Sequence, residues 1–205
     1  RFHTRVDSPT AAGPFVVAVG DINGDGRPDI AVAGYSGRAV SVLMNSGTGT
    51  FAPKVDYPIP GGPYSVTLGD VSGDGKPDLL VAHSSTVSVL VNDGAGAFVA
   101  GANYPTGQYP RSVALGDVNG DGNPDLVVAN SNPNTVSVLV NDGAGAFATR
   151  VDHTTGRLPK LVALSDVDGD GKRDIVVANS STFDTPPTYT VSVLLNRGPG
   201  CALDP

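Results

Sequence analysis

The chain contains no Glu and no Trp, and only one Cys and one Met; its 20 acidic residues are all Asp. Glu suits helix interiors, whereas Asp suits turns, caps and metal loops, so this acid set argues against a helical protein. The lone Cys201 cannot form an internal disulfide. No apolar run approaches the ~20 residues that a membrane-spanning helix needs, so membrane insertion is not expected. No basic stripe marks a nucleic-acid surface, and nucleic acid is not an expected partner. The three His residues, His3, His83 and His153, stand at unrelated places without a Ser or Cys at fixed spacing. Two carboxylates could in principle hydrolyse a glycoside, but most Asp here are committed to other work. No catalytic residue is assigned, and the chain is not expected to be an enzyme.

What is present points to one all-β domain. The 205 residues are 40% hydrophobic, enough for a core, and 27 Gly with 17 Pro suggest short strands joined by tight turns. The net charge of −7 is unevenly spread, because 13 of the 20 Asp fall inside four nine-residue loops. Local acidity at fixed spacing implies cations rather than a generally acidic surface.

Those loops are DINGDGRPD from Asp21, DVSGDGKPD from Asp70, DVNGDGNPD from Asp117 and DVDGDGKRD from Asp166, spaced by 49, 47 and 49 residues. Other landmarks keep the same phase. An apolar run precedes each loop, as in Phe15–Val19 and Tyr64–Leu68, and a second follows it, as in Ile30–Ala33 and Leu79–Ala82. A Val-Ser-Val-Leu run comes third, beginning at Val40, Val87, Val136 and Val191. These short β-branched runs bounded by turn residues read as strands. Asp93-Gly94 and Asp142-Gly143 are hairpin signals, and a more polar fourth strand follows, such as Phe51–Asp56 with Pro53. Four antiparallel strands per about 48 residues make a propeller blade. The expected fold is therefore a β-propeller of four 4-stranded antiparallel blades in a single domain, residues 1–205. The repeats run approximately over 13–56, 62–103, 109–152 and 158–202.

Phe51, Phe98 and Phe147 open the fourth strands of repeats one to three, but repeat four reads Asn196-Arg-Gly-Pro-Gly-Cys-Ala202. Phe2-His-Thr-Arg-Val-Asp7 instead matches Phe147-Ala-Thr-Arg-Val-Asp152. The N-terminal strand, within residues 1–10, is thus expected to pair with the last blade and close the ring. A dimer of half-rings making eight blades is the alternative, so a monomer or a dimer is anticipated.

Within each loop, oxygen-bearing side chains fall at positions 1, 3, 5 and 9. They are Asp21, Asn23, Asp25 and Asp29; Asp70, Ser72, Asp74 and Asp78; Asp117, Asn119, Asp121 and Asp125; and Asp166, Asp168, Asp170 and Asp174. Position 7, occupied by Arg27, Lys76, Asn123 and Lys172, would offer its main-chain carbonyl. Hard oxygen donors in this number suit Ca²⁺, about four ions per chain, and the absence of His and Cys argues against zinc or copper. An EF-hand is excluded: its position 12 would be Val32, Val81, Val128 or Val177 rather than Glu, and strands flank the loop.

The Asp-x-Asx-x-Asp-Gly-x-x-Asp loops in this setting resemble the FG-GAP (VCBS) repeat of integrin α-subunit propellers and of many secreted bacterial and fungal proteins. The resemblance covers essentially the whole chain. It implies calcium between the first and second strands of each blade and ligand binding on the opposite face or between blades. The chain departs from the pattern at Ser72 and Arg173, and in having four visible blades where most relatives carry seven.

Positions that differ between repeats are candidates for ligand binding. Phe15, Tyr64, Arg111 and Lys160 follow the Pro before the first strand and would ring the central opening away from the calcium loops. Phe183 and Tyr189 lie in a long fourth-repeat insertion, and Tyr57 and Tyr104 are a matched aromatic pair. The expected ligand is a glycan stacked on Tyr or Phe, bound by a secreted, extracellular module standing free or attached to a hydrolase. The alternative is a protein-binding adhesion or scaffold module.

Overall fold

A computed structural model describes residues 5–148, 150–181 and 186–198, and among them every regular element is a β-strand. Blade one consists of β1 (Pro14–Gly20), β2 (Asp29–Gly34), β3 (Ala39–Leu43) and β4 (Val55–Pro58). Blade two consists of β5 (Pro63–Gly69), β6 (Asp78–His83), β7 (Thr86–Asn92) and β8 (Phe98–Pro105). Blade three consists of β9 (Gln108–Gly116), β10 (Asp125–Asn132), β11 (Thr135–Leu139) and β12 (Val151–Thr154). Blade four shows β13 (Pro159–Ser165), β14 (Asp174–Ser181) and β15 (Thr188–Leu194). Each sheet is an antiparallel meander with its strands in chain order, so the architecture is a four-blade propeller.

In blades two to four the second strand is the most deeply buried. Leu79, Leu80, Val81 and Ala82 are fully enclosed, and so are Leu126, Val127, Val128 and Ala129. These two runs pack on both faces because blades two and three each lie between two others, which is why they read as continuous apolar stretches. Three cores result, one between each pair of successive blades. The first joins Val40 and Val42 of blade one to Val66, Leu79 and Val81 of blade two. The inner strands approach closely at glycine: a Cβ on Gly20, Gly69 or Gly116 would stand 3.2, 2.6 or 3.0 Å from Cδ1 of Leu68, Leu115 or Leu164 of the next blade.

Among the described residues the ring is not closed. β1 packs against β5, β5 against β9 and β9 against β13, but β13 does not pack against β1 in this way. Arg5–Thr10 carry no strand, and blade four has three strands among the described residues. The expected pairing of the N-terminal segment with blade four is therefore not made by the described part of that segment, and Phe2 lies outside the described residues. Among the described residues the outward faces of blades one and four are left open, with Val17, Val191 and Val193 exposed.

Candidate functional site

Each inner strand ends at the start of an acidic loop, and the second strand begins at the loop's last Asp. In the first loop, Gly24 and Gly26 take φ of 75° and 81°, a left-handed turn that glycine adopts without a Cβ clash. That turn aims main-chain N–H groups inward. The Asp21 carboxylate accepts from Gly24 N at 2.9 Å and from Gly26 N at 2.7 Å. Asp70, Asp117 and Asp166 accept the same pair of amides in their own loops. Position 5 turns instead toward position 7. Asp170 accepts from Lys172 N and from Lys172 Nζ at 2.7 Å, and this hydrogen bond holds its carboxyl below the ordinary value while raising the lysine.

Position 9 is buried. Asp29, Asp78, Asp125 and Asp174 have no exposed surface. Asp125 accepts Val118 N and Asn141 N, both at 2.9 Å, so it ties the start of the loop to the end of β11. Burial pushes its carboxyl up despite these two amides. An Asn at the end of each third strand completes the frame. Asn92, Asn141 and Asn196 each donate Nδ2 to the position-2 carbonyl of the preceding blade, on Ile22, Val71 and Val118, at 2.7, 3.0 and 2.6 Å.

The donor set fits a hard cation. In loop four, Asp166, Asp168 and Asp174 bring carboxylate oxygens within 4.8 Å of one another, so this cluster could hold a metal ion. It is the one such cluster of acidic, His or Cys groups among the described residues, because Asn23, Ser72 and Asn119 replace the position-3 carboxylate elsewhere.

The opposite ends of the inner strands carry a second constellation. Tyr35, in the β2–β3 turn, and Tyr64, at the start of β5, lie with ring centroids 5.2 Å apart and hydroxyls 3.5 Å apart. The hydroxyl of Tyr35 pushes the Tyr64 phenol above its ordinary value, and burial adds to the effect. The Arg111 guanidinium lies 4.6 Å over Tyr64 and 5.9 Å from Tyr109. Its Nε is buried and has no hydrogen-bond partner among the described residues. Tyr35 and Tyr109 are 42% and 49% exposed, so aromatic faces from blades one and three flank a held cation at the surface.

The chain matches the FG-GAP-like repeat over residues 21–81, 70–128 and 117–177, and the FG-GAP repeat over 161–194. It belongs to the FG-GAP repeat family. No curated protein matches it. Among solved structures it is similar to a lectin of Agrocybe aegerita that recognises non-reducing terminal N-acetylglucosamine. Identity there is 22% and the TM-score 0.58, over 91% of this chain and 54% of the lectin. A similar likeness, at 16% identity and TM-score 0.59, is to BBS1N in complex with ARL6DN, over 85% of this chain and 57% of that one. A functionally unknown protein from Desulfotomaculum acetoxidans matches at 18% identity and TM-score 0.52, over 91% of this chain and 56% of that one. At these identities the likeness concerns fold, and the chain spans about half the length of each of these structures.

Within the FG-GAP arc the other expected ligand residues are scattered. Phe15 and Lys160 are exposed but lie on the two end blades and do not join the Tyr–Arg cluster among the described contacts. Tyr189 is 66% exposed on β15. Phe183 lies outside the described residues. Tyr57 and Tyr104 are half-buried and pack between blades. Each stands edge-on to the Phe that opens the next blade's outer strand or bridge, Phe98 at 5.4 Å and Phe147 at 5.0 Å. Tyr57 Oη accepts from Phe98 N, and Tyr104 Oη donates to Gly145 O. Tyr104→Phe is therefore expected to cost about 1 kcal/mol of stability in urea unfolding and to leave ligand binding unchanged. A loss of binding with unchanged stability would contradict the packing role. Tyr35 and Tyr109 were not singled out from the sequence. For Tyr109 the available signal was its place two residues before Arg111 on one strand; Tyr35, in the β2–β3 turn of blade one, carried none.

Proposed function

We propose that the chain is a non-catalytic, secreted binding module whose acidic loops hold Ca²⁺ and whose opposite face binds carbohydrate. The observation that carries the ligand reading is the meeting of Tyr35, Tyr64, Tyr109 and Arg111 from three blades on that face. Tyrosine rings offer flat apolar surface for the C–H face of a pyranose, with little rotamer entropy to lose. An Arg held between rings supplies directed donors for sugar oxygens. The likeness to a lectin supports the same reading. The position 1, 3, 5 and 9 side chains of each loop, with the position-7 carbonyl, would hold the calcium, and loop four would bind tightest through Asp168.

A glycan array tests this reading, run with calcium and with EDTA on the chain and on Tyr64→Ala and Arg111→Ala. Each substitution is expected to weaken the best-bound glycan at least about tenfold, a loss of about 1.4 kcal/mol. No glycan bound by the parent chain, or equal binding by both variants, would overturn it. Capture of a protein ligand through the same residues would establish the adhesion or scaffold alternative, for which the BBS1N–ARL6DN complex is a precedent of fold only.

A further inference from the structure

Three inter-blade interfaces in this chain repeat one another, and the fourth exists only as two separated halves. At the blade-one end, Val17 is 58% exposed, whereas its counterparts Val66, Val113 and Val162 are 4%, 9% and 6% exposed. At the blade-four end, Val191 and Val193 are 65% and 50% exposed, whereas Val40 and Val42 are 0% and 2%. In the first core, Val40 and Val42 pack with Val66, so the exposed residues on the two ends are the two sides of one contact. Val167 repeats the pattern at 51%, against 1% for Ile22 and for Val71. Val55, Val99 and Val151 on the fourth strands are exposed too, but these end-face residues are the ones whose repeat counterparts are buried, and such matched apolar surface marks an interaction site.

The polar groups match as well. Asn45 donates Nδ2 to Pro28 O of its own blade, as Asn92 does to Pro77 O and Asn141 to Pro124 O. Its cross-blade acceptor would be Val167 O, by analogy with Ile22, Val71 and Val118 for the other three Asn. In blades one to three the third-strand Ser donates to an Asx on the fourth strand: Ser41 to Asp56, Ser88 to Asn103 and Ser137 to Asp152. No such oxygen stands beside Ser192 among the described residues. The residue in phase to supply it is Asp7, which is exposed and paired with Arg5.

Size is complementary too. At the three internal interfaces a Leu of one blade lies over a Gly of the blade before. At the open ends the corresponding pair is Val19 and Ser165, a shorter side chain facing a larger residue.

We propose that these faces dock on a second copy of this chain, blade one of each on blade four of the other, so that two arcs close a single ring. The segment around Asp7 then lies beside β15 of the second copy and supplies the oxygen that Ser192 lacks. Two head-to-tail contacts related by a two-fold axis leave no free end, whereas the same contact without closure would give a filament.

Sedimentation equilibrium of the 205-residue chain is expected to give twice its 20.7 kDa mass. Val17→Asp and Val193→Asp should each shift the dissociation constant upward by at least about tenfold, since each buries an unpaired carboxylate at the contact. Because both positions are exposed within one chain, both variants should keep the parent's circular dichroism. Mixing the two variants restores one intact contact per pair and should recover association that neither shows alone. A monomeric parent, an open polymer, or variants that dimerise like the parent would each overturn the proposal.

Discussion

Replacing Asp125 with alanine is expected to remove about 2–6 kcal/mol of stability in denaturant unfolding carried out in EDTA. The carboxylate is wholly buried and accepts Val118 N and Asn141 N, and the substitution leaves both amides without an acceptor. An orphaned buried donor costs about 1–3 kcal/mol. Against a total stability of about 5–15 kcal/mol for a domain, the variant would stand near unfolding. Asp121→Ala is the control. That carboxylate is exposed, its pKa is lowered chiefly by the Asn123 main-chain N–H, and its loss should leave the denaturant midpoint essentially unchanged without metal. Both residues are loop oxygens that a cation would use, so in calcium both variants should lose stability. EDTA thus separates the brace from the ligand. Equal behaviour of the two variants in EDTA would mean that position 9 serves the metal alone.

The two roles of Asp125 illustrate what the sequence could reveal and what it could not. Spacing alone placed the residue at position 9 of a loop repeated every 47 to 49 residues, which was enough for strand order and blade count. Its second role depends on Asn141, 16 residues further on, whose amide reaches it only because β10 and β11 pair in a particular register. Tyr57 and Tyr104 recur in phase, and the structure shows that their recurrence also serves the contact between blades, against Phe98 and Phe147. The Tyr35–Tyr64–Arg111–Tyr109 cluster was half legible. Tyr64 and Arg111 stood out by breaking the repeat, and Tyr109 stands two residues before Arg111 on β9, whereas Tyr35 reaches Tyr64 sideways from the β2–β3 turn of blade one, a lateral neighbour that leaves no trace in linear spacing.

Adding calcium to about 10 mM is expected to raise the unfolding free energy by about 6–11 kcal/mol over EDTA, the largest single effect anticipated for this chain. Extracellular calcium modules bind with dissociation constants of about 10⁻⁴–10⁻³ M. At that ratio of ligand to dissociation constant, each site adds about 1.4–2.7 kcal/mol, and four independent sites add their contributions. For a domain of this size the melting temperature should rise by roughly 10–40 °C. The direction follows from the loops themselves. Thirteen carboxylates are gathered into four turns, and each first-position Asp is held inward by two glycine amides. Repulsion among these charges is relieved by a bound cation in the folded state, whereas in the unfolded chain they disperse. Screening alone would produce part of this effect, so the comparison must be made at equal ionic strength with NaCl, under which exposed charges are damped without a site. Magnesium is a second control, because it demands a near-ideal octahedral shell and dehydrates reluctantly. Loop four should contribute most. Asp168→Asn gives it the position-3 side chain of loops one and three and should lower the calcium gain toward that of the other loops, with calorimetric titration losing its tightest class. A melting temperature that is the same in EDTA, NaCl and calcium would mean that the acidic loops are held by their own amides and lysines, and that the metal reading is wrong.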